Sequence, residues 1–131
     1  MGAVEDAVAR LTAQIPSRTI YPYAVPDGTL PARYLVVYGS EGSEEPTRMV
    51  GTVNQQTPSV WIVSVARNSD PVAAAREASW GAQKARAALR NYSPDGTWSF
   101  RAEASQPAQR DEAIPATTFY ATEQFSRRTY L

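Results

Sequence analysis

A chain of 131 residues suffices for one hydrophobic core and a single domain, residues 1–131, but not for two. Its 13 lysines and arginines equal its 13 aspartates and glutamates, and a neutral chain with no basic run argues against binding nucleic acid through phosphates or by sequence. With no histidine and no cysteine, the chain lacks the usual general base, the usual catalytic triads, disulfides, and imidazole or thiolate metal sites. Charge near zero also does little to keep monomers apart, which suits self-assembly. Nothing reads as a signal peptide and no apolar run approaches membrane-spanning length, so the expectation is a soluble, intracellular product without membrane contact.

Residues 3–14 read as a first helix: Val4, Val8, Leu11 and Ile15 recur at helical spacing, Glu5, Asp6 and Arg10 face water, and Pro16 stops it. An extended piece, 19–23, precedes a turn-rich stretch, 25–31, that reverses the chain. Residues 33–38 (RYLVVY) are apolar on both faces, as in a central or doubly covered strand. A polar acidic loop follows at 39–47, carrying Glu41, Glu44 and Glu45, and 48–56 reads as a weak edge strand or hairpin arm beginning at Arg48. Residues 59–67 (SVWIVSVAR) are the strongest strand, with Trp61, Val63 and Val65 on one face and Val60, Ile62 and Ala66 on the other. Both faces are apolar and both need covering, one by the long helix, the other by the first helix or a neighbouring subunit.

That long helix spans 70–90. Asp70 is a good N-cap and Pro71 sits where its missing N–H costs nothing. Ala74, Ala75, Ala78, Gly81, Ala82, Ala85, Ala88 and Leu89 make a small-residue stripe, with Trp80 on its flank. Arg76, Ser79, Gln83, Arg86 and Arg90 take the opposite face. After a turn at 91–96, residues 97–105 alternate, with Trp98, Phe100, Ala102 and Ala104 inward and Thr97, Ser99, Arg101, Glu103 and Ser105 outward. A polar link, 106–113, leads to a last strand at 117–127. There Phe119, Ala121 and Phe125 face one way, and Tyr120, Thr122, Gln124 and Ser126 the other. The expected fold is therefore α+β, with one long and one short helix on one face of a mainly antiparallel sheet.

Three constellations carry candidate chemistry. Asp111 and Glu112, beside Arg110, can act as acid and base only if burial raises one pKa, which a solvated link does not provide. Glu41, Glu44 and Glu45 lack the alternating spacing of a calcium loop, and Gly39 and Gly42 precede no phosphate-binding helix start. Arg127, Arg128 and Tyr130, on a terminal strand, have the arginine and aromatic composition of interface hot spots. No catalytic residue, metal ligand or cofactor is therefore assigned.

In this order the chain resembles the tail terminator proteins of long-tailed, siphovirus-type bacteriophages, especially those of actinobacteria. The likeness spans nearly the whole chain. It rests on VEDAVARLTAQIP, on the turn DGTLP running into RYLVVYGSEG, on VWIVSVAR entering DPVAAAREASWGAQKARAAL, and on a tryptophan strand followed by QPAQRDEAIPATTFYATEQFSRRT. The resemblance implies a non-enzymatic structural virion protein, made in the host cytoplasm and resident in the tail neck. It implies a homo-hexameric ring that caps the head-proximal end of the tail tube and ends tube growth. Its partners are then further copies of itself, the tail tube protein, a head-completion or connector protein, and the end of the tape measure protein. Interface candidates are Glu41, Glu44, Glu45, Arg48, Val60, Ile62, Tyr120, Gln124, Arg127, Arg128 and Tyr130. The competing readings are another neck component, such as a stopper protein, a small-ligand binding α+β domain, and an enzyme using Asp111 or Glu112.

Overall fold

The computed structural model describes residues 2–40, 59–114 and 116–129. Among these the order is α1 (Ala3–Gln14), β1 (Thr19–Pro22), β2 (Arg33–Ser40), β3 (Ser59–Arg67), α2 (Pro71–Leu89), β4 (Trp98–Arg110) and β5 (Thr118–Thr129). The strands form one sheet, ordered β1-β2-β3-β5-β4. All neighbours are antiparallel except β1 and β2, which run parallel, so the α+β class stands and the sheet is mixed.

The long helix begins as its sequence dictates: Asp70 accepts the Val72 amide at 3.1 Å and Pro71 opens the first turn. It ends at Asn91, which takes a left-handed φ of 62°. Its small stripe lies flat on the sheet, with Ala74, Ala78, Gly81, Ala82, Ala85, Ala88 and Leu89 buried. The approach is closest at Gly81, where an added Cβ would collide with Ser64 Oγ and stand 2.8 Å from Arg18 Nη1. Gly81→Ala is therefore expected to cost about 1–2 kcal/mol despite alanine's better helix propensity. The Ser64 hydroxyl is itself buried without a hydrogen-bond partner. Ser64→Ala should stabilise the fold by about 1 kcal/mol and relieve part of the Gly81→Ala cost. Urea midpoints of the two single variants and the double variant measure that coupling.

The first helix packs on the same side of the sheet as α2 and buries Ala3, Val4, Ala7 and Leu11 against β1, β2 and the end of α2. It does not cover the opposite face of β3. Arg10, expected in water, instead donates from Nε to the Ala88 carbonyl at 3.1 Å and lies 4.2 Å from the Tyr92 ring centre. It thus serves one of the orphan carbonyls at the C-terminus of α2. The main core joins α1 to Leu35, Val37, Val60, Ile62, Leu89, Trp98, Phe100 and Phe125.

The fourth strand runs through the expected link and ends only at Arg110. It is an edge strand, so Pro107, which lacks a donor, is tolerated there. Register breaks lie between Ala102 and Ser105 and between Gln106 and Gln109. The first advances β4 by three residues while β5 advances two, from Phe125 to Glu123, so the facing inverts. Ala104, expected inside, is exposed, and Ser105 is turned to the helix side. Ser99, expected outside, is buried, and nothing in the register explains it.

Candidate functional site

Both helices lie on one side, and among the described residues no element packs on the other face of the sheet. Burial along β3 alternates, so Val60, Ile62, Ser64 and Ala66 lie under the helices while Trp61, Val63 and Val65 project from the free face. In register beside them stand Tyr38, Val36 and Tyr34 of β2, and Tyr21 of β1 stands next to Val36. Tyr38 and Trp61 stack with ring centres 5.7 Å apart and planes 16° from parallel, and Tyr21 meets Tyr34 edge-on at 5.7 Å. On the β5 side the same face turns polar through Thr122, Gln124 and Ser126, leaving Tyr120 beside Val65. Antiparallel sheets with one solvated face normally alternate apolar with polar residues. Over β2 and β3 this one does not. Burial among these rings raises the Tyr34 hydroxyl above its ordinary pKa, opposed by Arg67.

The predicted interface residues divide accordingly. Tyr120 and Gln124 are half-buried on the free face; beyond them Arg128 is exposed in the same phase, whereas Arg127 is exposed in the helix-side phase, in register with Phe100. Val60 and Ile62 are not surface residues: at 2% and 0% exposure they belong to the subunit's own core, because the helices cover that side of β3. The outward set is Trp61, Val63 and Val65, which the same alternation defines with the opposite phase. Glu41, Glu44, Glu45, Arg48 and Tyr130 lie outside the described residues.

Asp111 and Glu112 sit in the turn between β4 and β5, where Asp111 accepts the Ala113 amide at 3.1 Å and Glu112 is exposed. The buried carboxylate is Glu123, 5% exposed and opposite Ile62 on the helix side. Arg86 Nη1 lies 2.9 Å from its Oε1, and the Ser105 hydroxyl lies 2.6 Å from the same oxygen. Arg86, read as a solvent-facing residue, is the counter-ion that holds this acid under α2. The alternation Ala121, Glu123, Phe125 already places an acid on the inward face, and an acid there requires a cation from the element above.

Two basic depressions flank the sheet. One, of about 440 Å³, lies between α2 and the β1 edge and is lined by Arg18, Arg33, Arg76, Glu77 and Trp80. The other, of about 310 Å³, is at the opposite end of β3 and gathers Arg101, Arg127 and Arg128 around Glu103. Burial lowers the Arg18 guanidinium from its ordinary pKa and nearby Arg33 lowers it further, with Glu77 opposing. Both depressions open to solvent. Among the described residues no three acidic side chains gather where they could hold a metal ion, and no helix is long and apolar enough to cross a membrane.

No protein-family model matches the sequence, and no curated protein is similar to it. Among solved structures, one chain is similar over 97% of this chain and 91% of its own, with a TM-score of 0.60 at 14% identity. That chain's name describes no activity. The likeness shows the fold alone: a helix-covered α+β sheet is an arrangement this sequence shares with a very different one.

Proposed function

We propose that the chain is a structural subunit that assembles with copies of itself into a ring, as the tail terminator proteins it resembles do. In that role the ring, six-membered by analogy with that family, caps the head-proximal end of a phage tail tube.

 The reading rests on one observation: an apolar face over β2 and β3, carrying Tyr21, Tyr34, Val36, Tyr38, Trp61, Val63 and Val65, that neither helix covers. Tyr38 is exposed and the others are half-buried, and a contiguous set of partly open apolar side chains of this kind marks an interaction site. A ring closes through heterologous contacts, so each copy offers two different patches, and the free face is one of them. The tail tube protein and a head-completion or connector protein are the proposed partners at the two ends of the ring, and the virion neck its location. The absence of histidine and cysteine accords with a role in which side chains bind rather than react.

The test is assembly. Size exclusion with light scattering should give a ring-sized species at high protein concentration or on purified tubes, and added protein should arrest tube growth. A monomer at every concentration that leaves tube length unchanged would overturn the reading. Arg128 is exposed, whereas Arg127 lies 4.9 Å from the Trp98 ring centre, a contact worth about 0.5–1 kcal/mol. Arg128→Glu should therefore weaken docking to tube or connector about tenfold at unchanged thermal stability, and Arg127→Glu should lower both. A pull-down titration beside a melting curve separates the two effects.

A further inference from the structure

The depression between α2 and the β1 edge holds more positive charge than its own carboxylate balances. Its lining sets Arg18, Arg33 and Arg76 against Glu77, three cations less one anion, a surplus of two. Glu77 is engaged by Arg33, whose Nη1 stands 3.2 Å from its Oε2. Arg18 lies 4.8 Å from the Trp80 ring centre and donates from Nη2 to the Glu77 carbonyl at 3.1 Å. Its Nη1 is turned under α2, 2.8 Å from where a Gly81 Cβ would stand, and is buried without an acceptor. That guanidinium is pinned in place, and among the described residues no carboxylate lies within salt-bridge distance of it. Arg76 is exposed and equally without a carboxylate among the described residues. Burial and nearby Arg33 both disfavour the charged form of Arg18, so an anion here relieves a cost that an open surface would not impose.

Guanidinium forks bind oxyanions two oxygens at a time. A single carboxylate or a phosphodiester would cancel half of the surplus. A phosphate monoester carries close to two negative charges above its second pKa of about 6 and presents three acceptor oxygens. The cavity of about 440 Å³ falls in the range of small-molecule sites, roughly 300–1,000 Å³, so there is room for an organic body beside the phosphoryl group. The Trp80 ring, 41% exposed, is the apolar wall that such a body meets. From these facts we infer that the pocket binds a small phosphate monoester, its phosphoryl group on Arg33 and Arg76 beside the fixed charge of Arg18, its body against Trp80. The site lies on the helix side of the sheet, so it stands or falls separately from assembly through the free face.

Phenyl phosphate, titrated into isotope-labelled protein at a pH where the monoester is a dianion, tests the site. Of the three tryptophan indole N–H signals, that of Trp80 should shift saturably while those of Trp61 and Trp98 stay. Phenyl sulfate (the same shape with one charge fewer), benzoate, and inorganic phosphate without the body should each bind about tenfold more weakly. Arg76→Gln should weaken phenyl phosphate about tenfold at an unchanged melting temperature, since Arg76 forms no ion pair among the described residues. Arg33→Gln should weaken it by a similar factor with little loss of stability, its bridge to Glu77 being half exposed. Equal affinity for phenyl phosphate, phenyl sulfate and inorganic phosphate would mean an adventitious ion only and would overturn the proposal. A shift confined to Trp98 would also overturn it, because that ring stands by Arg127 of the other basic depression. So would displacement of phenyl phosphate by a much lower concentration of a glutamate-rich peptide or a DNA duplex, which would assign the pocket to a macromolecule.

Discussion

Trp61→Glu combined with Val63→Lys is expected to abolish self-association while leaving a folded monomer. Both side chains stand on the free face and neither belongs to the buried core. Within the monomer the change removes the Tyr38–Trp61 stack and the Val36–Val63 cross-strand pair, a loss of about 1–2 kcal/mol. Between subunits it removes a tryptophan anchor, whose truncation costs at least about 2 kcal/mol when it lies at an interface centre, and adds charges that must be desolvated. Two kcal/mol is about thirtyfold in affinity per contact, and a closed ring loses it at every joint. Light scattering of the variant beside its melting curve reads both quantities. Unchanged assembly would show that the face is not a subunit contact.

The second large effect is inside the subunit. Arg86→Ala should lower stability by about 2–3 kcal/mol, because it leaves Glu123 buried without a counter-ion beneath α2. Arg86 is itself partly exposed, and the solvent that reaches it holds the cost below that of a fully buried pair. For a domain of this size the melting temperature should fall by about 10 °C. Glu123→Gln keeps an acceptor for the Ser105 hydroxyl and should cost less. Replacing the pair with Arg86→Met and Glu123→Leu should recover most of the loss, since a well-packed apolar pair avoids desolvating two charges. A cost under about 0.5 kcal/mol for Arg86→Ala would show that the pair is solvated and that the bulge in β4 is held by backbone pairing alone.

The local elements were legible because their determinants are local. The cap at Asp70, the small stripe of α2, the 3.6-residue spacing of α1 and the two-residue alternation of β3 and β5 each specify an element without help from elsewhere in the chain. Beyond Ser105 the polarity and proline of the sequence suggest a loop, whereas at a sheet edge the ladder with β5 supplies the reason for extension.

Alternation along β3 separates two sets of side chains but is symmetric between them; it cannot say which set a helix will cover. That choice depends on where α1 lands, and α1 joins α2 on the side of Val60 and Ile62, leaving Trp61, Val63 and Val65 outside. The same holds for charge. Arg10, Arg86 and Glu123 sit at positions whose burial depends on partners 78 and 37 residues away, distances over which periodicity carries no information. Sequence alone therefore determined the helices, most of the strands and the excess of apolar strand surface, all properties of residues near one another in the chain. Only the tertiary arrangement decided which apolar face stays open, which charges are buried, and which arginines share a pocket, because each depends on contacts between segments far apart in sequence.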